Sequence, residues 1–109
     1  MSFIVTASFV RPNTDAPFFV PSTEFSTHFD NTYVQTGKVL ANTFTFSPDG
    51  LSITRQITWV NRPAYVEFAT DPVQVELMSA REAHHEANGI VMNIHRAFAD
   101  GETLEDSPS

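Results

Sequence analysis

A chain of 109 residues with 41% hydrophobic residues is long enough for one core and too short for two. The absence of cysteine excludes disulfides, thiolate chemistry and Cys-based zinc sites. The net charge of −7, with only six Lys and Arg, leaves no basic stripe for a nucleic-acid backbone, so no direct nucleic-acid partner is expected.

Residues 2–10 alternate, with Phe3, Val5, Ala7 and Phe9 on one face of a first strand. Arg11-Pro12 through Pro17 form a loop, since two prolines and Asn13, Thr14 and Asp15 favour turns. Phe18 and Phe19 follow outside any regular element. They either fold back over the core edge or offer a contact patch to a partner. Ser22 or Thr23 can cap a first helix, on which Phe25, Phe29 and Tyr33 recur every four residues, and Gly37 can end it.

Lys38 to Val60 reads as a hairpin closed by Ser47-Pro48-Asp49-Gly50. Before the turn, Leu40, Phe44 and Phe46 share one face and Val39, Ala41, Thr43 and Thr45 the other. After it, Leu51, Ile53, Ile57 and Trp59 alternate with Ser52, Thr54, Gln56 and Thr58. Arg55 interrupts the apolar face, as a strand end, a sheet edge or a polar contact in an interface would. Asn61-Arg62-Pro63 opens a second helix with Ala64, Tyr65 and Phe68 inward, broken or kinked at Asp71-Pro72. Beyond the break Val73, Leu77, Ala80, His84 and Ala87 follow one helical face. Asn88-Gly89 stops the helix, and Ile90 to Ile94 gives a last strand.

The order predicts an α+β, ferredoxin-like βαββαβ domain over 1–98: a four-stranded antiparallel sheet with two helices on one face. Residues 99–109 hold four acids and no base, and read as an acidic polar tail. No apolar run is long enough to span a bilayer, and the start MSFIVTASFV lacks the basic n-region of a signal peptide. The expected location is the virion or the cytoplasm, with no membrane partner.

The stretch from Ile57 to Pro72 places a Trp at a strand end, then a polar break, an Ala-aromatic helix start and an Asp-Pro. In this it resembles the dimeric α/β-barrel proteins, including the antibiotic-biosynthesis-monooxygenase-like group. That resemblance implies a homodimer formed by sheets packed face to face, covering an open apolar sheet face. It also implies a pocket between sheet and helices, with Trp59 and His84 as pocket candidates. A second resemblance, carried by Arg11-Pro12, Thr14-Asp15, Ser47, Asp49-Gly50 and Leu51, is to small α/β virion proteins of tailed bacteriophages.

No chemical signature stands out. The sequence has no Ser-x-Gly elbow, no phosphate-cradling Gly loop and no nucleophilic cysteine. Glu82 and His85 have the i, i+3 spacing of carboxylate-bridged metal helices, but the second such pair is missing. His84 and His85 project about 100° apart on a helix and cannot readily share one ion. His28 fits a surface helix position, and His95 lies in the last strand on the face opposite Ile94. The expectation is therefore no catalytic residue, no cofactor and no metal. The chain would be a non-enzymatic structural or assembly protein acting through protein–protein contacts as a homo-oligomer or beside assembly neighbours, plausibly in a tailed-phage virion, with Phe18, Phe19 and Arg55 as interface residues. The alternative is a small dimeric monooxygenase-like enzyme or ligand-binding protein.

Overall fold

The computed structural model describes residues 2–98; the expected tail, 99–109, lies outside the described residues. The elements run β1 (Phe3–Val10), α1 (Thr23–Phe29), β2 (Val39–Phe46), β3 (Ser52–Trp59), α2 (Arg62–Thr70), α3 (Pro72–Asn88) and β4 (Val91–Phe98). The four strands form one antiparallel sheet in the order β2-β3-β1-β4. This is the expected ferredoxin-like topology. The second helix is two, because Asp71 leaves helical geometry at ψ 126° and restarts the chain as the cap of α3.

Local chemistry explains each boundary. Ser22 Oγ accepts from the Phe25 amide at 3.2 Å to start α1, and Asn61 Oδ1 accepts from Ala64 at 2.8 Å to start α2. Gly89 ends α3 at φ 66°, a left-handed position that costs glycine little. After α1 the chain makes one wide π turn, Asp30–Val34, with Gln35 N donating to Asp30 O at 2.8 Å. Residues four apart drift by about 40° per step on an ideal α-helix. The wider turn absorbs that drift and keeps Phe25, Phe29 and Tyr33 all buried.

The hairpin departs from the expected pattern in one respect. A β-bulge after Val39 sets Trp59 opposite Val39 and Thr58 opposite Ala41, with Leu40 as the extra residue. Val39 is therefore buried on the helix side, and Asn42, Phe44 and Phe46 follow it on that face by register. The opposite face of the sheet is not the apolar surface expected. It carries Thr6, Ser8, Thr54, Gln56, Thr58 and His95 around Ile4. Val10 and Val91 pair on that face and are exposed, and edge strand β2 leaves Leu40, Phe44 and Phe46 exposed as well.

Burial is uneven along the sheet. At the end holding Phe3, Val39 and Trp59, aromatic rings close the core completely. Trp59 is 0% exposed and meets Phe29, Tyr33, Tyr65 and Phe68 with ring centroids 5.0–6.2 Å apart. At the other end the sheet floor is Ala7, Phe9, Ile53 and Arg55, and there the packing opens. Among the described residues no helix is long and apolar enough to cross a membrane.

Candidate ligand cavity

The opening between sheet and helices has two lobes. The first, about 110 Å³, is walled by Phe9, Phe18, Phe19, Phe25 and Phe44, with Arg55, Gln74, Arg81 and His85 among its polar groups. The second, about 170 Å³, runs toward β4 and is bounded by Tyr65, Phe68, Met78, Met92 and Arg96. Phe9, Arg55, Gln74 and Arg81 border both lobes. An apolar hollow with a few convergent polar groups is the usual form of a small-molecule site.

Each polar group is placed by its element. Arg55 sits in mid-strand, paired with Ala7 on one side and Phe44 on the other, so its side chain rises from the sheet floor. Its guanidinium lies 5.3 Å from the Phe29 ring centre and 5.4 Å from that of Phe44, and Nε donates to Asn42 Oδ1 at 3.3 Å. Burial, and then the neighbouring Arg81, push its pKa down to about 10, which leaves it charged at neutral pH. Arg81 descends from α3, 5.9 Å from the Phe9 ring centre, and burial lowers its pKa as well. Neither arginine has a carboxylate within ion-pairing distance among the described residues.

Gln74 is buried, and its Oε1 has no hydrogen-bond partner. His85 is also buried, edge-on to Phe9 at 5.6 Å. Burial first, then Arg81 and His84, lower its pKa below the ordinary 6.5, so its imidazole is neutral at pH 7. In the second lobe Arg96 Nε donates to Tyr65 Oη at 2.9 Å.

The residues singled out from the sequence divide into two groups. Phe18, Phe19 and Arg55 come together as cavity wall. Phe18 lies under the Arg11 guanidinium at 4.5 Å, and Arg11 also ties the loop to Gly50 O at 2.8 Å and Ala16 O at 3.1 Å. Phe19 meets His84 edge-on at 5.7 Å. His84 borders neither lobe. Its Nε2 hydrogen-bonds the Pro17 carbonyl at 2.7 Å and so anchors the loop that carries both phenylalanines. Trp59 borders neither lobe either, being core at the closed end of the sheet. Glu82 is exposed while His85 is buried, and no three His, Asp or Glu side chains converge among the described residues.

Sequence reasoning missed Gln74, Arg81 and His85. It set the inward face of α3 one residue off, through Val73, Ala80 and Ala87, which are exposed. The buried or half-buried line is Gln74, Leu77, Arg81 and His85. Apolar periodicity finds a stripe that faces a core; this stripe faces a cavity and is largely polar. The available signal was the matching defect on β3, where Arg55 interrupts the same layer from below.

Comparison with solved structures places this architecture. SnoaB from Streptomyces nogalater, a cofactor-independent oxygenase, superposes with a TM-score of 0.60 at 16% identity, over 95% of this chain and 97% of that one. A monooxygenase from the gene ActVA-Orf6 of Streptomyces coelicolor, solved with the ligand nanaomycin D, gives 0.60 at 20% identity, over 94% and 90%. A Deinococcus radiodurans protein, provisionally described as an antibiotic-biosynthesis monooxygenase, gives 0.51 at 13%, over 94% and 96%. The chain has the fold of the antibiotic-biosynthesis-monooxygenase-like proteins. No family model and no curated protein matches its sequence.

These neighbours overturn the expectation of a non-enzymatic phage virion component and favour the alternative, an oxygenase-like enzyme or ligand binder. The physical reason for the error is visible. The lack of a catalytic signature was counted against an enzyme, yet a neighbour with this fold is a cofactor-independent oxygenase. Phe18 and Phe19, which the sequence offers either as a cover folded back over the core edge or as a contact patch, wall the chain's own cavity.

Proposed function

We propose that this chain is a small oxygenase that takes an aromatic, polyketide-like substrate into the cavity between its sheet and helices and needs no cofactor. The observation that supports this most is the cavity itself, a phenylalanine-walled hollow in which two cationic guanidiniums and a neutral imidazole converge. Such a site suits a hydroxyarene. The rings bury the aromatic body, and Arg55 and Arg81 stabilise the phenolate. His85, neutral and within the same lobe, accepts the phenolic proton. The electron-rich phenolate then reduces dioxygen. Overall, phenol plus O₂ gives quinone plus water, a balance that requires no further reductant.

The test is oxygen uptake by metal-free protein with hydroxyanthrones and hydroxynaphthalenes. A chelator-insensitive rate at least about ten-fold above autoxidation, a barrier lowered by ~1.4 kcal/mol, is expected. Rates no different from buffer across the panel would remove the oxygenase reading. The pH profile adds a second check. His85 must be unprotonated and its pKa is lowered, so kcat/KM should stay level across pH 7 and fall only below about 6.5, the ordinary histidine value. A fall beginning above pH 7 would point to another base.

The homodimer implied by the resemblance belongs to the same proposal. Exposed Leu40, Phe44 and Phe46 on edge strand β2 supply apolar surface that a second copy would cover. Native mass spectrometry reads subunit number and bound small molecule together.

A further inference from the structure

Arg55 and Arg81 approach the same space from opposite layers, one from the sheet floor and one from α3, and both border both lobes. Placing two like charges in an apolar layer is costly unless something compensates them. The chain has 13 acidic residues, yet none stands within ion-pairing distance of either guanidinium among the described residues. Beside them Gln74 is 7% exposed, with its Oε1 unpartnered. A buried amide and two half-buried guanidiniums thus share one unmet requirement: an anionic acceptor for the arginines and a hydrogen-bonding group for the amide.

Resting on the oxygenase reading, we propose that the Arg55–Arg81–Gln74 cluster is an anion subsite and that the ligand is an aromatic hydroxy acid, its carboxylate held between the two guanidiniums and its adjacent hydroxyl on Gln74. A hydroxyl both donates and accepts, so it satisfies the amide in either orientation. A carboxylate offers two oxygens, one for each fork, and charge-assisted bonds of this kind are the strong ones. The site is pre-organised on the sheet side, where the Phe29 and Phe44 rings and Asn42 fix Arg55. The phenylalanine-walled first lobe then receives the ring system, and the second lobe receives whatever extends beyond the acid group.

Calorimetric titration at pH 7.5 with 1-hydroxy-2-naphthoate, 2-naphthoate and 2-naphthol separates the parts. The hydroxy acid should bind at least about ten-fold more tightly than 2-naphthol, a gap of ~1.4 kcal/mol. Arg81→Met should abolish that preference, weakening the hydroxy acid more than 2-naphthol. Gln74→Leu should abolish the preference for the hydroxy acid over 2-naphthoate. Removing a half-buried charge that has no carboxylate partner should not destabilise the free protein, so the thermal midpoint of Arg81→Met should equal or exceed that of the unsubstituted chain. If that variant fails to fold, Arg55→Met carries the same comparison. Equal binding of 2-naphthol and both acids overturns the anion subsite and leaves the aromatic cavity standing. Acid binding that is indifferent to both arginine substitutions also overturns it. Failure of all three probes to bind overturns the cavity reading and the subsite with it.

Discussion

Trp59→Ala should destabilise the protein by about 3–5 kcal/mol, a large share of its total stability. Trp59 has no exposed surface and is ringed by Phe29, Tyr33, Tyr65 and Phe68, while its strand neighbours Phe3 and Val39 are also buried. Truncating such a side chain removes its transfer free energy and leaves a cavity that the other rings cannot fill, typically costing about 3–5 kcal/mol. A domain of this size has only about 5–15 kcal/mol in total. Trp59→Phe should behave differently. The indole Nε1 is buried without a partner, so losing it removes an unsatisfied donor and offsets part of the lost volume. Its cost should be about 1 kcal/mol, in the range of volume-reducing core changes. Urea unfolding followed by far-UV circular dichroism measures both. If Trp59→Ala shifted the midpoint no more than Trp59→Phe, the account of the closed end of the sheet would be wrong. Because Trp59 borders neither lobe, Trp59→Phe should also leave ligand affinity within about two-fold, well under 1 kcal/mol.

The contrast between the two ends of the sheet explains what the sequence disclosed. Element order, helix starts, the Pro48-Asp49-Gly50 turn and the Asp71 break all depend on local chemistry, and all are legible in the sequence. So is the buried line Phe25, Phe29 and Tyr33, because an aromatic stripe facing a core is what periodicity detects. Two things escaped. The bulge after Val39 is a one-residue register event without its own glycine signal, and it reassigned that residue to the helix side. The inward face of α3 escaped because it serves the ligand cavity. Polar residues there obey the chemistry of a guest, so the apolar positions left over, Val73, Ala80 and Ala87, spelled out the wrong face. Arg55 was noticed as a break in the strand pattern, but only the fold shows that Arg81 and Gln74 break the layer above it.

Asp71→Ala should cost roughly 3 kcal/mol, combining a lost helix cap of ~1 kcal/mol with lost hydrogen bonds to a charged acceptor of ~1.5–3 kcal/mol. One carboxylate joins three parts of the chain. Oδ1 accepts from the Val73 amide at 2.9 Å and caps α3. Oδ2 accepts from His28 Nε2 at 2.6 Å on α1 and from Tyr33 Oη in the π turn. Tyr33 is 1% exposed, so removing its acceptor strands a buried hydroxyl. The pH dependence follows from the same contacts. Burial would raise the Asp71 pKa, but the bonds from His28, Tyr33 and the Val73 amide outweigh it and hold the group below its ordinary 3.8. Its stabilisation is therefore complete above that value and disappears as pH falls through the lowered folded-state pKa. Tyr33 is shifted the other way, first by burial and then by Asp71, far above its ordinary 10. Its contribution is complete below pH 10 and is lost as pH rises beyond it. Asp71→Asn keeps a side-chain oxygen for the cap but discards the charge. It should be milder than Asp71→Ala, should flatten the acid limb of a stability-versus-pH curve below pH 4, and should make the alkaline limb above pH 10 shallower without abolishing it, because burial still raises Tyr33. Tyr33→Phe should flatten the alkaline limb and leave some acid dependence, since the His28 and Val73 contacts survive. Chemical denaturation at a series of pH values reads each limb. An Asp71→Asn curve parallel to that of the unsubstituted chain would mean that the carboxylate is only a helix cap and that α1 is held to the α2–α3 junction by ring packing alone.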